Sequence, residues 1–283
     1  MRPLIALFLI ALPLQASDFI DDQAISAGFL KEMEQHFEAK DLIEAQTLQE
    51  QLKERQHCAP FDLTPCDEVP HSSAEVFQSR KSSIVALGNI YKCKRCEHWH
   101  SNLAGGVILT PDGIVLTNYH VIENAEAAAF GAVTWDGSVH PVTEVLAASK
   151  SDDLALVRIA GENFQPAPVA FDEPVGAPVT AITHPDGRFY TLTTGVISRY
   201  FNERTRDPKG GPHRVAITAD YAKGSSGCPI FNEHGAVIAL VSTTSSIYYS
   251  QEKGVDKNLQ MVVKSCVPSA SIKGLFAEAE APQ

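Results

Sequence analysis

Three short strings in this chain hold residues that could act together. VLTNYHVIENA carries His120 just after a strand-like run, and SKSDDLALVRI carries Asp153 directly before one. AKGSSGCPIFNEHG carries Ser226, with Gly224 and Gly227 close on either side. A serine hydroxyl at its ordinary pKa is a poor nucleophile. A neutral imidazole within hydrogen-bond reach can take its proton and later deliver it to a leaving group. A buried carboxylate fixes the tautomer of that imidazole and stabilises its charged form. Glycines beside the serine let the backbone turn tightly, so that N–H groups can point at an oxyanion that develops during attack. The N–H groups of Gly224 and Ser226 are the natural pair. Singly, each string reads as something plainer: a surface histidine, a turn or capping aspartate, a Gly/Ser loop. The weight lies in their joint occurrence, in the order His, Asp, Ser–Gly–x–Pro, each at the border of a strand.

The elements that must position them follow from the pattern of apolar residues. From about Ala74 onward the chain is a series of short runs rich in Val, Ile, Thr and Tyr, such as SSIVALGNIY, GGVILT, GIVLTN, DLALVRI, YTLTTGVISRY and AVIALVS. Turn signals such as Pro111-Asp112-Gly113, Asp136-Gly137 and Pro185-Asp186-Gly187 separate them. Many short strands at this spacing predict a barrel or sandwich rather than βαβ units. Little helical pattern is expected between His120 and Ile272 beyond a turn after His120, and an apolar helix is expected near Ser271 to Glu278. Upstream, Ile25, Phe29, Leu30, Met33 and Phe37 recur at helical spacing, and Leu42, Ile43, Ala45, Leu48 and Leu52 continue the stripe. Residues 17–56 therefore read as a helical segment, either one helix or a hairpin with Asp41 as a second N-cap. The stripe either packs on the main domain or serves self-association or a protein partner through residues 22–56. Residues 57–76, with their prolines and two cysteines, read as a linker or stapled loop.

The first residues, MRPLIALFLIALPLQASDF, have a positive start, an apolar run, and Leu14 and Ala16 at the −3 and −1 positions of a cleavage site before Ser17. Residues 1–16 are expected to be a cleavable export signal, which puts the chain in the periplasm or outside the cell with no membrane contact afterwards. The composition, 44% hydrophobic and 20% charged, is that of a globular chain. The formal net charge of −11 argues against a nucleic-acid partner, which would need a basic surface. Six cysteines in an exported chain imply disulfides, and proximity favours Cys58–Cys66 and Cys93–Cys96, leaving Cys228–Cys266. In YKCKRCEHWHSN, the spacing of Cys93, Cys96, His98 and His100 could also hold zinc. A disulfide-stapled hairpin tip is the preferred reading there, and no cofactor is expected.

On the strings GGVILTPDGIVLTNYHVI, DDLALVRI, ITHPDG and GSSGCPIFNEHGAVIALVS, the chain resembles the trypsin-like (chymotrypsin-fold) serine peptidases. The likeness is strongest to their bacterial branch of HtrA-type and glutamyl-endopeptidase-type enzymes, and it spans roughly residues 84–265. The resemblance implies an all-β fold of two six-stranded antiparallel β-barrels, here with an N-terminal helical extension. The peptidase domain would cover residues 77–272, with a tail at 273–283 too short for a PDZ-like domain. It implies hydrolysis of peptide bonds in polypeptide substrates through an acyl-enzyme, with His120 as base, Asp153 as orienting acid and Ser226 as nucleophile. Asp152 is the rival acid. Gly224 and Ser226 would form the oxyanion hole, and Val241, Ser242 and Thr243 the wall along which substrate adds as a strand. Counting six back from the nucleophile gives Asp220, which would select Lys or Arg at P1, unless it is the structural aspartate that HtrA-like chains carry in this loop. Cys228 departs from the family pattern. The alternative reading is a silent or latent peptidase-fold protein that binds or scaffolds through its N-terminal helices.

Overall fold

The computed structural model describes residues 19–205 and 210–277. The expected export signal at residues 1–16 lies outside the described residues. Two helices open the described chain, α1 (Asp22–Ala39) and α2 (Ala45–Glu54), followed by α3 (Ser73–Arg80). The first barrel is built from β1 (Ile84–Lys92), β2 (Trp99–Leu103), β3 (Gly106–Ile108), β4 (Ile114–Thr117), β5 (Ala129–Val133), β6 (Val139–Ser149) and β7 (Leu154–Ile159). A one-turn helix, α4 (Tyr119–Ile122), follows β4. The second barrel comprises β8 (Pro178–Thr183), β9 (Thr191–Asn202), β10 (His213–Ile217), β11 (Pro229–Phe231), β12 (Val237–Glu252) and β13 (Val255–Pro268).

The fold is a double β-barrel. Strands β1, β3, β4, β7, β6 and β5 run in that order, and pairing of β1 with β5 closes the ring, with β2 attached to β1 as a hairpin. The second barrel closes in the order β10-β13-β12-β11-β8-β9. Each ring fills its own interior. Val85, Leu87, Ile108, Val115, Phe130, Val145 and Val157 form one buried cluster, and Val179, Ala181, Ile197, Val215, Ile230 and Cys266 form another. Successive residues of a strand face opposite sides. In β4, Val115 therefore joins the first interior, while Ile114 and Leu116 join a layer that includes Phe231, Val237 and Leu240 of the second barrel. Burial on both faces explains why the strands read as continuous apolar runs.

The helical stripe is spent on the domain itself. Phe29 and Met33 of α1 are fully buried in the layer shared by the barrels, and Ala45, Leu48 and Leu52 of α2 join the first barrel's fill. Asp22 Oδ1 accepts a 2.9 Å bond from Phe189 N of the second barrel, so α1 touches both halves. Leu48→Ala is expected to destabilise the protein by about 2–5 kcal/mol, measured by urea unfolding. A loss under ~1 kcal/mol, the scale of an exposed position, would place α2 outside the core. Asp41 does not cap α2: Glu44 holds the N-cap without a side-chain bond, while Asp41 pairs with His36 Nδ1 at 3.0 Å. Helix α3 interrupts the segment read as linker and strand. Ser72 and Glu75 make a reciprocal capping box, a legible signal for a helix too short to show a period. At the other end, where an apolar helix was expected near Ser271 to Glu278, the described residues form a 3₁₀ helix at Ser269–Leu275. Among the described residues, no helix is long and apolar enough to cross a membrane.

None of the three expected disulfides forms; all six cysteines are free thiols. For Cys228 and Cys266 the sheet order gives the reason. Cys228 O accepts from Val241 N, and Val241 is in register with Cys266, so β12 stands between the two thiols. Two strand spacings make about 10 Å, beyond the roughly 7 Å reach of a disulfide between Cα atoms. Burial pushes the Cys266 thiol up to about 12 and that of Cys228 higher still, so neither is a reactive thiolate. Cys58 bridges to Phe276, whereas Cys66 Sγ lies 3.6 Å from Val169 O.

Candidate active site

His120 sits on α4, the turn that β4 enters, and Asp153 sits in the turn before β7. Strands β4 and β7 pair directly, with Thr117 opposite Ala155, so the two side chains meet at one end of the pair. His120 Nδ1 lies 2.8 Å from Asp153 Oδ1 and 3.0 Å from Oδ2, and His120 N donates to Oδ1 at 3.2 Å. Asn118 Nδ2 donates to Asp153 O at 2.9 Å, which holds the turn. Asp153 has φ 63°, a left-handed conformation that Asp tolerates better than most side chains. With Nδ1 facing the carboxylate, Nε2 is the free nitrogen. The histidine side chain is 46% exposed and the aspartate 16%, so the ring is open to solvent while its partner is sheltered. The Asp152 carboxylate instead accepts from Ser149 Oγ at 2.7 Å.

The second barrel supplies the rest. Ser242 Oγ donates to Asp153 Oδ2 at 2.8 Å, crossing from β12 to the first barrel. Val241 N donates to Cys228 O, and Gly227 N to Val241 O, both at 2.9 Å, so the loop carrying Ser226 is fastened beside that crossing. Gly105 N donates to Ser226 O at 2.7 Å, and Thr117 Oγ1 to Gly105 O at 2.7 Å. Gly227, at φ 78°, is required here: a Cβ would come within 2.3 Å of Gly105 O. The two adjacent serines differ sharply. Ser225 is fully buried and its hydroxyl has no partner, whereas Ser226 is half-buried. Among the described residues, no hydrogen bond joins Ser226 Oγ to His120; such contacts often tighten only with substrate bound.

The backbone of the loop is sorted into used and unused donors. The N–H groups of Ser225, Gly227 and Cys228 bond to carbonyls, while those of Gly224 and Ser226 bond to none among the described residues. Buried backbone donors are almost always paired, and these two half-buried residues leave theirs unpaired at Ser226 itself and two positions before it. The Lys223–Gly224 peptide is aimed by its carbonyl, which accepts a 2.7 Å bond from Asp186 N. In a trans peptide the N–H points the opposite way. Asp186 belongs to the Pro185–Gly187 turn, whose carboxylate also pairs with Lys223 at 2.7 Å and Arg188 at 3.0 Å. The supporting residues Ser242 and Asp186 N were not singled out by sequence as partners of the triad and the loop. The ITHPDG string was the only visible hint of the second.

His184, at the head of that turn, is wholly buried. Its Nδ1 accepts from Tyr190 N at 3.1 Å, and burial lowers its pKa to about 4. A depressed folded pKa means that its contribution is whole above the unfolded value of about 6.5 and is lost as pH falls toward 4. Unfolding free energy should therefore drop by about 3 kcal/mol across that window from this group. Urea titrations at pH 7, 5 and 4 should show it, with a shallower slope in His184→Gln; an unchanged slope would refute it.

The remaining predicted positions are spread unevenly. Val241 and Ser242 are buried and Thr243 exposed, with a bulge between Val241 and Thr243. Asp220 is not in a pocket floor: its side chain is 84% exposed and lies 3.3 Å from Lys264 Nζ. Cys93, Cys96 and His100 gather at the β1–β2 turn, with His98 outside the group.

Residues 104–240 match the trypsin-like peptidase domain family. The chain carries a trypsin-like peptidase domain. The matched segment runs from Ala104, just before Gly105, to Leu240 within β12, so it contains His120, Asp153 and Ser226. Within this domain's family the likeness is to the HtrA-like branch. The chain is 33% identical over 141 residues to a probable periplasmic serine endoprotease DegP-like of Brucella suis, covering 48% of this chain and 26% of that protein. It is 29% identical over 142 residues to the serine endoprotease DegS of Haemophilus influenzae, covering 50% and 41%. It is 30% identical over 144 residues to the magnetosome formation protease MamE of Paramagnetospirillum magneticum, covering 49% and 20%. The chain thus spans less than half the length of each of these relatives. Helices α1 and α2, although packed into it, precede the matched segment.

Proposed function

We propose that the protein is an exported serine endopeptidase. The observation that carries this is the pairing of His120 and Asp153 beside a loop that exposes Ser226 with two unpaired N–H groups. Ser226 Oγ attacks the scissile carbonyl carbon as its proton passes to His120 Nε2. The negative charge moves to the carbonyl oxygen, where Gly224 N–H and Ser226 N–H receive it. The C–N bond then breaks as His120 returns the proton to the departing amine, leaving an acyl ester on Ser226. Water repeats the sequence in reverse: His120 takes its proton, and the ester yields a carboxylic acid and free serine. Asp153 holds the ring and stabilises its charged form. Periplasmic export is supported by the DegP-like relative's printed name and by the apolar N-terminal run.

A fluorophosphonate probe should label the purified chain, with the adduct mapped to Ser226 by mass spectrometry. A folded, monodisperse protein that resists labelling and cleaves no peptide would instead favour a silent binding protein. Gly224→Ala should lower kcat by about 10²–10³-fold. Its φ of 89° excludes a side chain, and a Cβ would meet His184 O at 2.8 Å, which turns the N–H away. Substrate choice follows from Asp220. Its carboxylate already faces the Lys264 ammonium, and charge selection of a basic P1 side chain would have to displace it. A peptide-library cleavage profile should therefore show no preference for Lys or Arg at P1. A strong basic preference that vanishes in Asp220→Asn would reverse this assignment.

A further inference from the structure

The β1–β2 turn gathers groups of a kind that bind soft metal ions, apart from the cleft. Cys93 Sγ, Cys96 Sγ and a ring nitrogen of His100 all lie within 4.8 Å of one another. Cys96 Sγ is 3.0 Å from His100 Nε2. We propose that Cys93, Cys96 and His100 form a zinc site, with solvent in the fourth position. A tetrahedral zinc holds its sulfur ligands at about 2.3 Å and nitrogen at about 2.1 Å, which sets ligand atoms roughly 3.5–4 Å apart. The three groups need shifts of an ångström or less to reach that geometry.

The backbone holds the ligands close to this arrangement before any ion arrives. Glu97 N donates to Cys93 O at 3.3 Å, closing the turn that sets both thiols on one side. Arg95 N donates to Cys93 Sγ at 3.4 Å, a contact that favours the thiolate a metal requires. His100 is fixed by its register opposite Tyr91, whose ring stacks on the imidazole at 5.5 Å. Two thiolates and one neutral imidazole select zinc over calcium or magnesium, which take oxygen ligands. Binding releases two thiol protons, and the resulting zinc–dithiolate unit is neutral. A neutral unit is compatible with the positive surroundings of Lys92, Lys94 and Arg95, where a bare dication would be repelled.

The site lies at one end of an element that reaches the cleft at the other. Strand β2 leads through Ala104, whose N–H bonds Leu87 O at 2.8 Å, to Gly105, whose N–H bonds Ser226 O at 2.7 Å. Zinc at the tip therefore fastens a hairpin whose base supports the Ser226 loop.

The test uses the full purified chain, reduced and dialysed against zinc, with metal counted by mass spectrometry and affinity read by competition with a chromophoric chelator. The expected result is one zinc per chain. Cys96→Ser and His100→Ala should each weaken it beyond the ~10–100-fold that loss of an outer partner costs. Cys58→Ser and Cys66→Ser should leave it unchanged. Cobalt in place of zinc should show thiolate-to-metal charge transfer, and zinc should slow hydrogen exchange across residues 91–103 in the parent chain only. Failure to retain zinc, equal retention in Cys96→Ser and His100→Ala, or a Cys93–Cys96 disulfide that persists when the protein is isolated with zinc would each overturn the proposal. None of these readouts depends on peptidase activity, so the site stands or falls apart from the proposed catalysis.

Discussion

Ser226→Ala should lower kcat for a cleavable peptide by on the order of 10⁶-fold, the loss seen when a serine nucleophile is removed from an acyl-transfer triad. The residual rate should come from the oxyanion hole and substrate binding alone. The fold should not suffer, because Ser226 is half-buried and its hydroxyl bonds to nothing among the described residues. The neighbouring position supplies the control. Ser225 is fully buried and its hydroxyl is unpaired. Removing a buried polar group that lacks a partner is neutral or stabilising by about 1 kcal/mol. Ser225→Ala should therefore keep activity within a few-fold and unfold at equal or higher urea concentration. The pair of variants separates nucleophile from spacer by kinetics and by equilibrium unfolding at once. An active Ser226→Ala variant would end the assignment, whatever Ser225→Ala does.

Asp153→Asn should cost on the order of 10⁴-fold in kcat while leaving the protein folded. The carboxylate accepts from His120 Nδ1, His120 N and Ser242 Oγ. An amide in its place can donate to Nδ1, which favours the ring with its proton on Nε2. That nitrogen could then no longer take the proton of Ser226. Asparagine also tolerates the left-handed backbone at this position, so the loss is one of proton placement rather than of structure. Single-turnover acylation by an ester substrate would isolate the step. Asp152→Asn is the matched control: its carboxylate caps Ser149 rather than facing His120, and its variant should acylate within a few-fold of the parent. If the two variants behave alike, the orienting role of Asp153 is wrong.

What could be read from the chain alone was local or periodic. Glycines, a histidine and an aspartate at strand borders are visible because strand ends are marked by apolar runs and turn residues. A barrel or sandwich was readable for the same reason, since strand burial leaves largely apolar runs such as Ile114–Thr117 and Leu154–Ile159, whereas the division into two barrels was implied only by the resemblance to the trypsin-like peptidases. The apolar stripe through Phe29, Met33, Leu48 and Leu52 showed that helices would form there, but not which surface they would cover. That depended on an open face across the two barrels and beside β6.

Tertiary structure decided whatever depends on distance between remote segments. Sheet order placed β12 between Cys228 and Cys266 and so kept them as separate thiols, although parity and compartment favoured a disulfide. It turned Asp220 toward Lys264, forty-four positions away, where counting along the chain had suggested a specificity pocket. It set the Asp153 carboxylate against His120 and the Asp152 carboxylate against Ser149, although both leave the same turn. It also distinguished two adjacent serines that are equivalent in composition and context. The physical reason is common to all four: sequence fixes which groups exist and the period on which they repeat, while hydrogen-bonding partners, charge pairing and burial are set by chain segments that meet only after both barrels close.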